Sequence, residues 1–320
     1  MTNRRDFLIA SGVATAVSTL SQMPLCAAPQ NESQQNQSKM PVRFSLNTST
    51  IRGQKLPIDQ QVAVAVQAGY DAIEPWIGDI EKFVKAGGKL EDLKKQIDDG
   101  GLAVVSAIGF ANWISDDDDE RAKGLEQARR DMGLVKSLGG THIAAPPVGA
   151  HKKEHASPPL DKIAQRYRAL LEVGDEIGVV PQLELWGFSK TLSKLSELAY
   201  VSAGAGHRSA CVLPDFYHIY KGGNDFAGLA MIESSRMHCF HMNDYPGDIP
   251  LAEIGDKDRV FPGDGDCELP TIIRGMLDRG FVGSFSLELF NRDYWERDAL
   301  AVCKEGLEKS KAVVQAAVEL

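Results

Sequence analysis

Short apolar runs of strand character alternate with amphipathic helical runs eight times along this chain, and few architectures accommodate such a pattern. The strand-like runs are VRFSLNTS (42–49), DAIEPW (71–76), AVVSAIGF (103–110), HIAAPP (142–147), VVPQLELW (179–186), ACVLPDF (210–216), HCFHMN (238–243) and SFSLELF (284–290). Between them lie helical patterns such as IDQQVAVAVQAGY, LEDLKKQIDD, AKGLEQARRDMGLVKSLGG, LDKIAQRYRALLEVGDEIG and LPTIIRGMLDRGF, several closing on the glycine that suits a helix C-terminus. Eight such units in a body of about 280 residues predict a single-domain α/β protein, a (β/α)8 TIM barrel over residues 42–320, in preference to an open sheet. A hydrophobic fraction of 43% suffices for the one large core this requires. No glycine-rich phosphate fingerprint opens any helix, so no nucleotide cofactor is expected.

In such a barrel the active site lies at the carboxyl ends of the strands. Four of the later runs finish there on a residue that can bind a metal: LELW on Glu184, LPDFYH on Asp215, CFHMND on His241 and SLELF on Glu288. Side-chain alternation places Ser284, Ser286 and Glu288 on one face of the last strand, with Phe285, Leu287 and Leu289 on the other. Gln182 and Glu184 oppose Leu183 and Leu185 in the same way, so the polar sets are expected to face the lumen. Carboxylates inside a barrel mouth cost several kcal/mol each without compensation, and a divalent cation offsets that cost. Each residue alone would suit a salt bridge at the rim, but four in four successive strands predict one divalent metal ion held by Glu184, Asp215, His241 and Glu288. Three carboxylates and one imidazole favour manganese first, then magnesium or cobalt, with zinc still open.

The first residues read as an address. Asn3-Arg4-Arg5-Asp6-Phe7-Leu8 is a twin-arginine start, followed by a weakly apolar stretch from Leu8 to Leu20 and small residues around Cys26-Ala27-Ala28. The stretch is too short to span a bilayer, and Leu25 stands where a lipoprotein needs a small residue. Residues 1–28 are therefore expected to be a twin-arginine signal peptide and residues 29–41 a disordered linker with almost nothing to bury. Export would be in the folded state through the twin-arginine machinery, to the periplasm or beyond, with no stable membrane anchor. A set of 35 basic against 44 acidic residues gives a net charge of −9, and losing Arg4, Arg5 and Asp6 leaves −10. Such a balance argues against nucleic acid as a partner. Cys211, Cys239, Cys267 and Cys303 lack metal-finger spacing; the compartment allows a disulfide, but spacing assigns none.

Taken together, GYDAIEPW at the second strand, LELW at the fifth, Asp215-x-x-His218 at the sixth, His241-x-x-Asp244 at the seventh and LELF at the eighth resemble the xylose isomerase-like barrel superfamily. That group of sugar phosphate isomerases and epimerases includes tagatose-type 3-epimerases, inosose isomerases and dehydratases, and hydroxypyruvate isomerase. The resemblance covers nearly the whole folded body. It implies that Glu184, Asp215, His241 and Glu288 bind the metal, that Glu184 and Glu288 form an acid/base pair on either side of an enediol, and that His218 binds substrate. Chemistry agrees, since a metal chelating a carbonyl and its neighbouring hydroxyl makes the adjacent proton removable by a carboxylate.

Two positions depart from the tagatose-type pattern. Lys190 replaces a second glutamate six residues beyond Glu184, and Gly247 replaces a substrate arginine six beyond His241. Lys190 is a candidate for binding a different ligand oxygen, and Arg259 a candidate replacement for the arginine. Glu74 is expected at the mouth, where it could meet a substrate hydroxyl or a rim salt bridge, and Asp244 joins the substrate-binding set through the motif. Trp186, next but one to Glu184, is the stronger candidate for a sugar-binding wall; Trp113 and Phe110 are weaker ones, because a packed loop explains them as well. The acidic run Asp116–Glu120 reads as the charged start of a helix, and PGDGD (262–266) as a turn with a helix cap.

The expected function is a divalent-metal-dependent isomerase or epimerase of a non-phosphorylated sugar, keto-sugar or cyclitol. A lyase of the same superfamily, a dehydratase or a 3-keto-glycoside-cleaving enzyme, is the alternative, and a noncatalytic carbohydrate-binding barrel is the third reading. Related DNA-repair endonucleases need a His-rich trinuclear site and a basic face, which seven histidines and an acidic balance do not supply. A homo-oligomer is left open.

Overall fold

The computed structural model describes Met40 and residues 42–320. The signal peptide expected at 1–28 lies outside the described residues, as does the linker expected at 29–41 apart from Met40. Eight strands run in parallel: β1 (Arg43–Asn47), β2 (Ala72–Glu74), β3 (Ala103–Val104), β4 (His142–Ala145), β5 (Val180–Glu184), β6 (Val212–Leu213), β7 (Cys239–Met242) and β8 (Ser284–Leu287). Ladders join them in the orders β3-β2-β1-β8-β7 and β4-β5-β6. Two seams close the ring. Ala144 N donates to Ala107 O at 2.8 Å between β4 and the segment after β3, and the bridges Val212–Met237 and Asp215–His241 join the β6 and β7 segments. The result is the expected (β/α)8 barrel.

Every strand falls inside its predicted run but is shorter. Proline explains three of the carboxyl ends: Pro75, Pro146 and Pro214 follow β2, β4 and β6 and have no N–H to extend a ladder. The helices that wrap the barrel are α1 (Ile58–Ala68), α2 (Ile77–Lys85), α3 (Leu90–Asp99), α4 (Asp118–Ser137), α5 (Leu160–Ile177), α6 (Leu195–Gly204), α7 (Phe216–Lys221), α8 (Leu269–Asp278), α9 (Arg292–Trp295) and α10 (Ala299–Glu319). Helices α1 and α5 close on Gly69 and Gly178, whose φ of 90° and 84° lie in the left-handed region that glycine adopts without strain. The acidic run opens α4 as expected, with the Asp117 carboxylate capping the backbone N–H of Glu120 at 2.8 Å.

Alternation divides each strand between two environments. Phe44, Leu46, Leu183, Phe240, Phe285 and Leu287 are buried in the main hydrophobic cluster, whereas Ser45, Asn47, Glu74, Gln182, Glu184, His241 and Ser286 are buried polar groups. In the lumen Ser286 Oγ donates to Glu74 at 2.7 Å and Gln182 Nε2 to Ser106 Oγ at 3.1 Å. Cys211, Cys239, Cys267 and Cys303 are free and buried. No helix among the described residues is long and apolar enough to cross a membrane.

Candidate active site at the barrel mouth

Six strands deliver the floor of the mouth. Asn47, Glu74 and Glu184 end β1, β2 and β5; Asp215 lies just beyond β6 and caps α7; His241 is inside β7; Glu288 follows β8 directly. His241 is the hub. Its Nε2 lies 3.1 Å from Glu74 Oε2, while its Nδ1 faces Glu288 Oε2 at 3.2 Å, Asp215 Oδ2 at 3.6 Å and Glu184 Oε1 at 3.9 Å. Glu74 is itself fixed by Asn47 Nδ2 at 2.9 Å and by Ser286. Such a carboxylate behind an imidazole sets the ring's orientation and leaves the other nitrogen for the site.

Arg259 enters from the far side, fully buried. Its Nη1 donates to Asp215 Oδ2 at 2.9 Å and Glu288 Oε2 at 2.8 Å, and its Nη2 to His218 Nε2 at 3.0 Å and Asp256 Oδ1 at 2.6 Å. Because a guanidinium only donates, His218 Nε2 is the acceptor and a neutral His218 carries its proton on Nδ1. Asn243 Nδ2 adds contacts to both Asp215 oxygens at 3.2 Å.

Burial and charge oppose each other in this cluster. Burial pushes the Glu184 carboxyl up to about 8, with His241 pulling it down and Glu288 pushing it further up. For Asp215 burial also works upward, but Arg259, His218 and His241 together outweigh it and hold the carboxyl well below the usual range. Burial alone would depress His241; the carboxylates of Glu288 and Glu74 overcome it and hold the imidazole well above its ordinary value. Burial pushes His218 down.

The donor set fits a divalent cation. Ligand atoms of Asp215, His241 and Glu288 lie within 4.8 Å of one another, and the buried Glu184 Oε2 lacks a hydrogen-bond partner. Glu74, Glu184, Asp215 and Glu288 bring four carboxylates against one guanidinium, an excess of negative charge that a divalent cation would reduce.

The other candidates separate clearly. Arg259 and His218 stand at the floor, and Trp186 is half-buried beyond Glu184. Glu74, expected at the mouth beside a substrate hydroxyl or in a rim salt bridge, is 0% exposed and lies against His241 Nε2 at 3.1 Å, so it is no rim group. Asp244 organises a loop, accepting the backbone N–H groups of Tyr245 at 2.8 Å, Gly263 at 2.9 Å and Cys267 at 3.0 Å. That loop is the PGDGD turn, where a Cβ on Gly265 would lie 2.4 Å from Asp244 Oδ1. Lys190 spends its ammonium on the carbonyls of Lys153 at 3.3 Å and His155 at 2.8 Å, tying two mouth loops together. Trp113 is 1% exposed and packs on Tyr167 while its indole donates to Pro146 O at 2.7 Å, so it belongs to the core and not to the wall.

Sequence reasoning missed Asn47, Asn243 and the rim aromatics Trp76, Phe188 and Phe290. For Asn47 a signal existed: it shares a face with Ser45 and ends β1 in register with Glu74. His151, whose ring meets Trp186 edge-on at 5.5 Å, sits on an irregular loop that no periodicity singles out.

Parallel strands closed into a ring, with acids and an imidazole gathered at their carboxyl ends, define an α/β barrel whose working face is its mouth. Residues 62–313 match the family described as xylose isomerase-like TIM barrel. The chain belongs to that family. It is 23% identical over 259 residues to inosose isomerase of Bacillus velezensis, covering 80% of this chain and 92% of that protein. To 3-dehydroshikimate dehydratase of Pseudomonas putida it is 21% identical over 235 residues, covering 73% of this chain but only 36% of that longer protein. Among solved structures, the IolI protein with a bound zinc atom superposes with a TM-score of 0.78 at 19% identity, covering 86% of this chain and 98% of the other.

Proposed function

We propose that this protein is a divalent-metal-dependent isomerase or epimerase of a non-phosphorylated sugar, keto-sugar or cyclitol. The observation that carries the reading is the placement of Glu184 and Glu288, delivered by different strands, on one imidazole nitrogen at 3.9 and 3.2 Å. Glu184, Asp215, His241 and Glu288 would hold the cation, with manganese the best match to three carboxylates and one imidazole. When bound, the ion supplies Lewis acidity toward a carbonyl and its neighbouring hydroxyl. One glutamate removes the proton from the carbon beside that carbonyl while the electron pair moves to oxygen. The other returns a proton to the same or the neighbouring carbon. Glu74 keeps His241 oriented, and Arg259 and His218 offer polar contacts to substrate oxygens above the floor.

The relatives named as inosose isomerase support the isomerase reading, and those named as 3-dehydroshikimate dehydratase favour a lyase as the second. Both begin with the same proton abstraction; they part when the electron pair either returns to carbon or expels a leaving group. We also propose export through the twin-arginine route, which removes the enzyme from cytoplasmic phosphosugars and is tested by cell fractionation.

The experiment is incubation of the manganese-loaded protein with keto-sugars, cyclitols and 3-keto-glycosides in heavy water. Deuterium on carbon with the skeleton intact is the expected result, and Glu288→Gln should slow its appearance about a thousandfold. Release of water or an aglycone would transfer the protein to the lyases. Sugar binding without any exchange would overturn both enzymatic readings.

A further inference from the structure

Above the floor runs a second layer built from aromatic rings, and it closes on itself. Phe290, after β8, lies edge-on to Trp76 at 6.1 Å, and Trp76 meets Phe110 at 5.1 Å. Phe110 continues to Trp186 at 6.2 Å, and Trp186 stacks on Phe188 at 5.2 Å with 30° between the planes. Phe188 meets His218 edge-on at 5.5 Å. The circuit is completed by Arg259, which contacts His218 and lies 5.1 Å over Phe290. Arg259 touches the floor through Asp215 and Glu288, and Trp76 through its indole, which donates to Asn47 Oδ1 at 3.0 Å, so the collar borders the acid cluster.

The collar is not packed as core. Phe110 is 38% exposed and Phe188 47%, whereas Phe44 and Phe285 on the outer faces of their strands are 2% or less. Apolar rings left open to water gain when a ligand covers them, in proportion to the area covered. A bare sugar or cyclitol engages the floor through its oxygens and presents one C–H face to a ring, which Trp186 beside Glu184 can supply. Phe188 and Phe110 flank Trp186 at 5.2 and 6.2 Å and keep apolar surface exposed that one C–H face of a sugar ring on Trp186 leaves uncovered. Tilted and edge-on rings about 5–6 Å apart are the geometry aromatic partners adopt with one another.

From this geometry we infer that the enzyme is selective for sugars or cyclitols bearing an aromatic substituent, with Phe188 and Phe110 as the specificity-determining residues. The inference rests on the proposed function for the polar half of the substrate and adds the apolar half. The oxygenated ring occupies the floor, and the aryl group lies in the collar between Phe188 and Phe110.

The test compares phenyl and methyl 3-keto-β-glucosides, measuring equilibrium binding through the protein's tryptophan fluorescence, to which Trp76 and Trp186 contribute, and, separately, deuterium exchange. The phenyl compound should bind about tenfold more tightly than the methyl one. In Phe188→Ala and in Phe110→Ala the ratio should fall below about threefold, and both exposed positions tolerate truncation without loss of the fold. Equal binding of the two glycosides, or a ratio unmoved in both variants, would overturn the inference while any exchange observed leaves the isomerase reading intact. A phenyl preference without exchange would do the reverse, supporting the collar and removing the proposed chemistry.

Discussion

The floor and the rim of this barrel mouth are made of opposite materials. On the floor, Glu74, Glu184, Asp215, His241 and Glu288 are at most 4% exposed, and His241 faces four carboxylates at 3.1 to 3.9 Å. At the rim, Phe110 and Phe188 are open to solvent and lie against other rings. Buried charge demands a fixed arrangement with compensation, because each unpaired group costs several kcal/mol. Exposed aromatic surface demands only a cover. The floor is thus suited to one reaction centre, and the rim to choosing what reaches it.

The sharpest way to break this division is Trp113, an aromatic that the sequence offered as a weaker wall candidate and that is found in the core. Trp113→Ala should cost about 3–5 kcal/mol of stability in thermal or denaturant unfolding, the range for truncating a large buried ring. At the same position it should leave the phenyl-to-methyl binding ratio as in the wild type. A stable variant with an altered ratio would place Trp113 at the rim and undo the contrast. Glu74 sharpens the comparison from the other side. It touches no substrate in this account and acts through His241, so Glu74→Gln should weaken manganese affinity by about 10–100-fold in a calorimetric titration. Unchanged affinity would show that the imidazole does not depend on its carboxylate.

Legibility followed the same division. Strand ends pointed to Glu184, Asp215, His241 and Glu288, with period-2 alternation adding to Glu184 and Glu288, because a parallel barrel forces the carboxyl ends of its strands to one side. Arg259 was visible as a residue but not as a direction, since a long irregular stretch separates it from β7 and only the folded loop turns it inward. Lys190 and Asp244 take partners that the sequence does not show, for a related reason. Both sit at motif spacing in the chain, yet backbone carbonyls and backbone N–H groups capture them before a ligand can. The rim aromatics follow no period because they belong to loops, where neighbours are set by tertiary structure alone. Glu74 was expected at the mouth, and the fold buries it completely against His241 Nε2 at 3.1 Å.

Pulsed electron paramagnetic resonance on the manganese-loaded protein reaches the central claim most directly. The account predicts one bound ion per chain at saturation, with the magnetic coupling of a single imidazole nitrogen that disappears in His241→Gln. A saturated sample that binds no ion, or binds one without imidazole coupling, would contradict it.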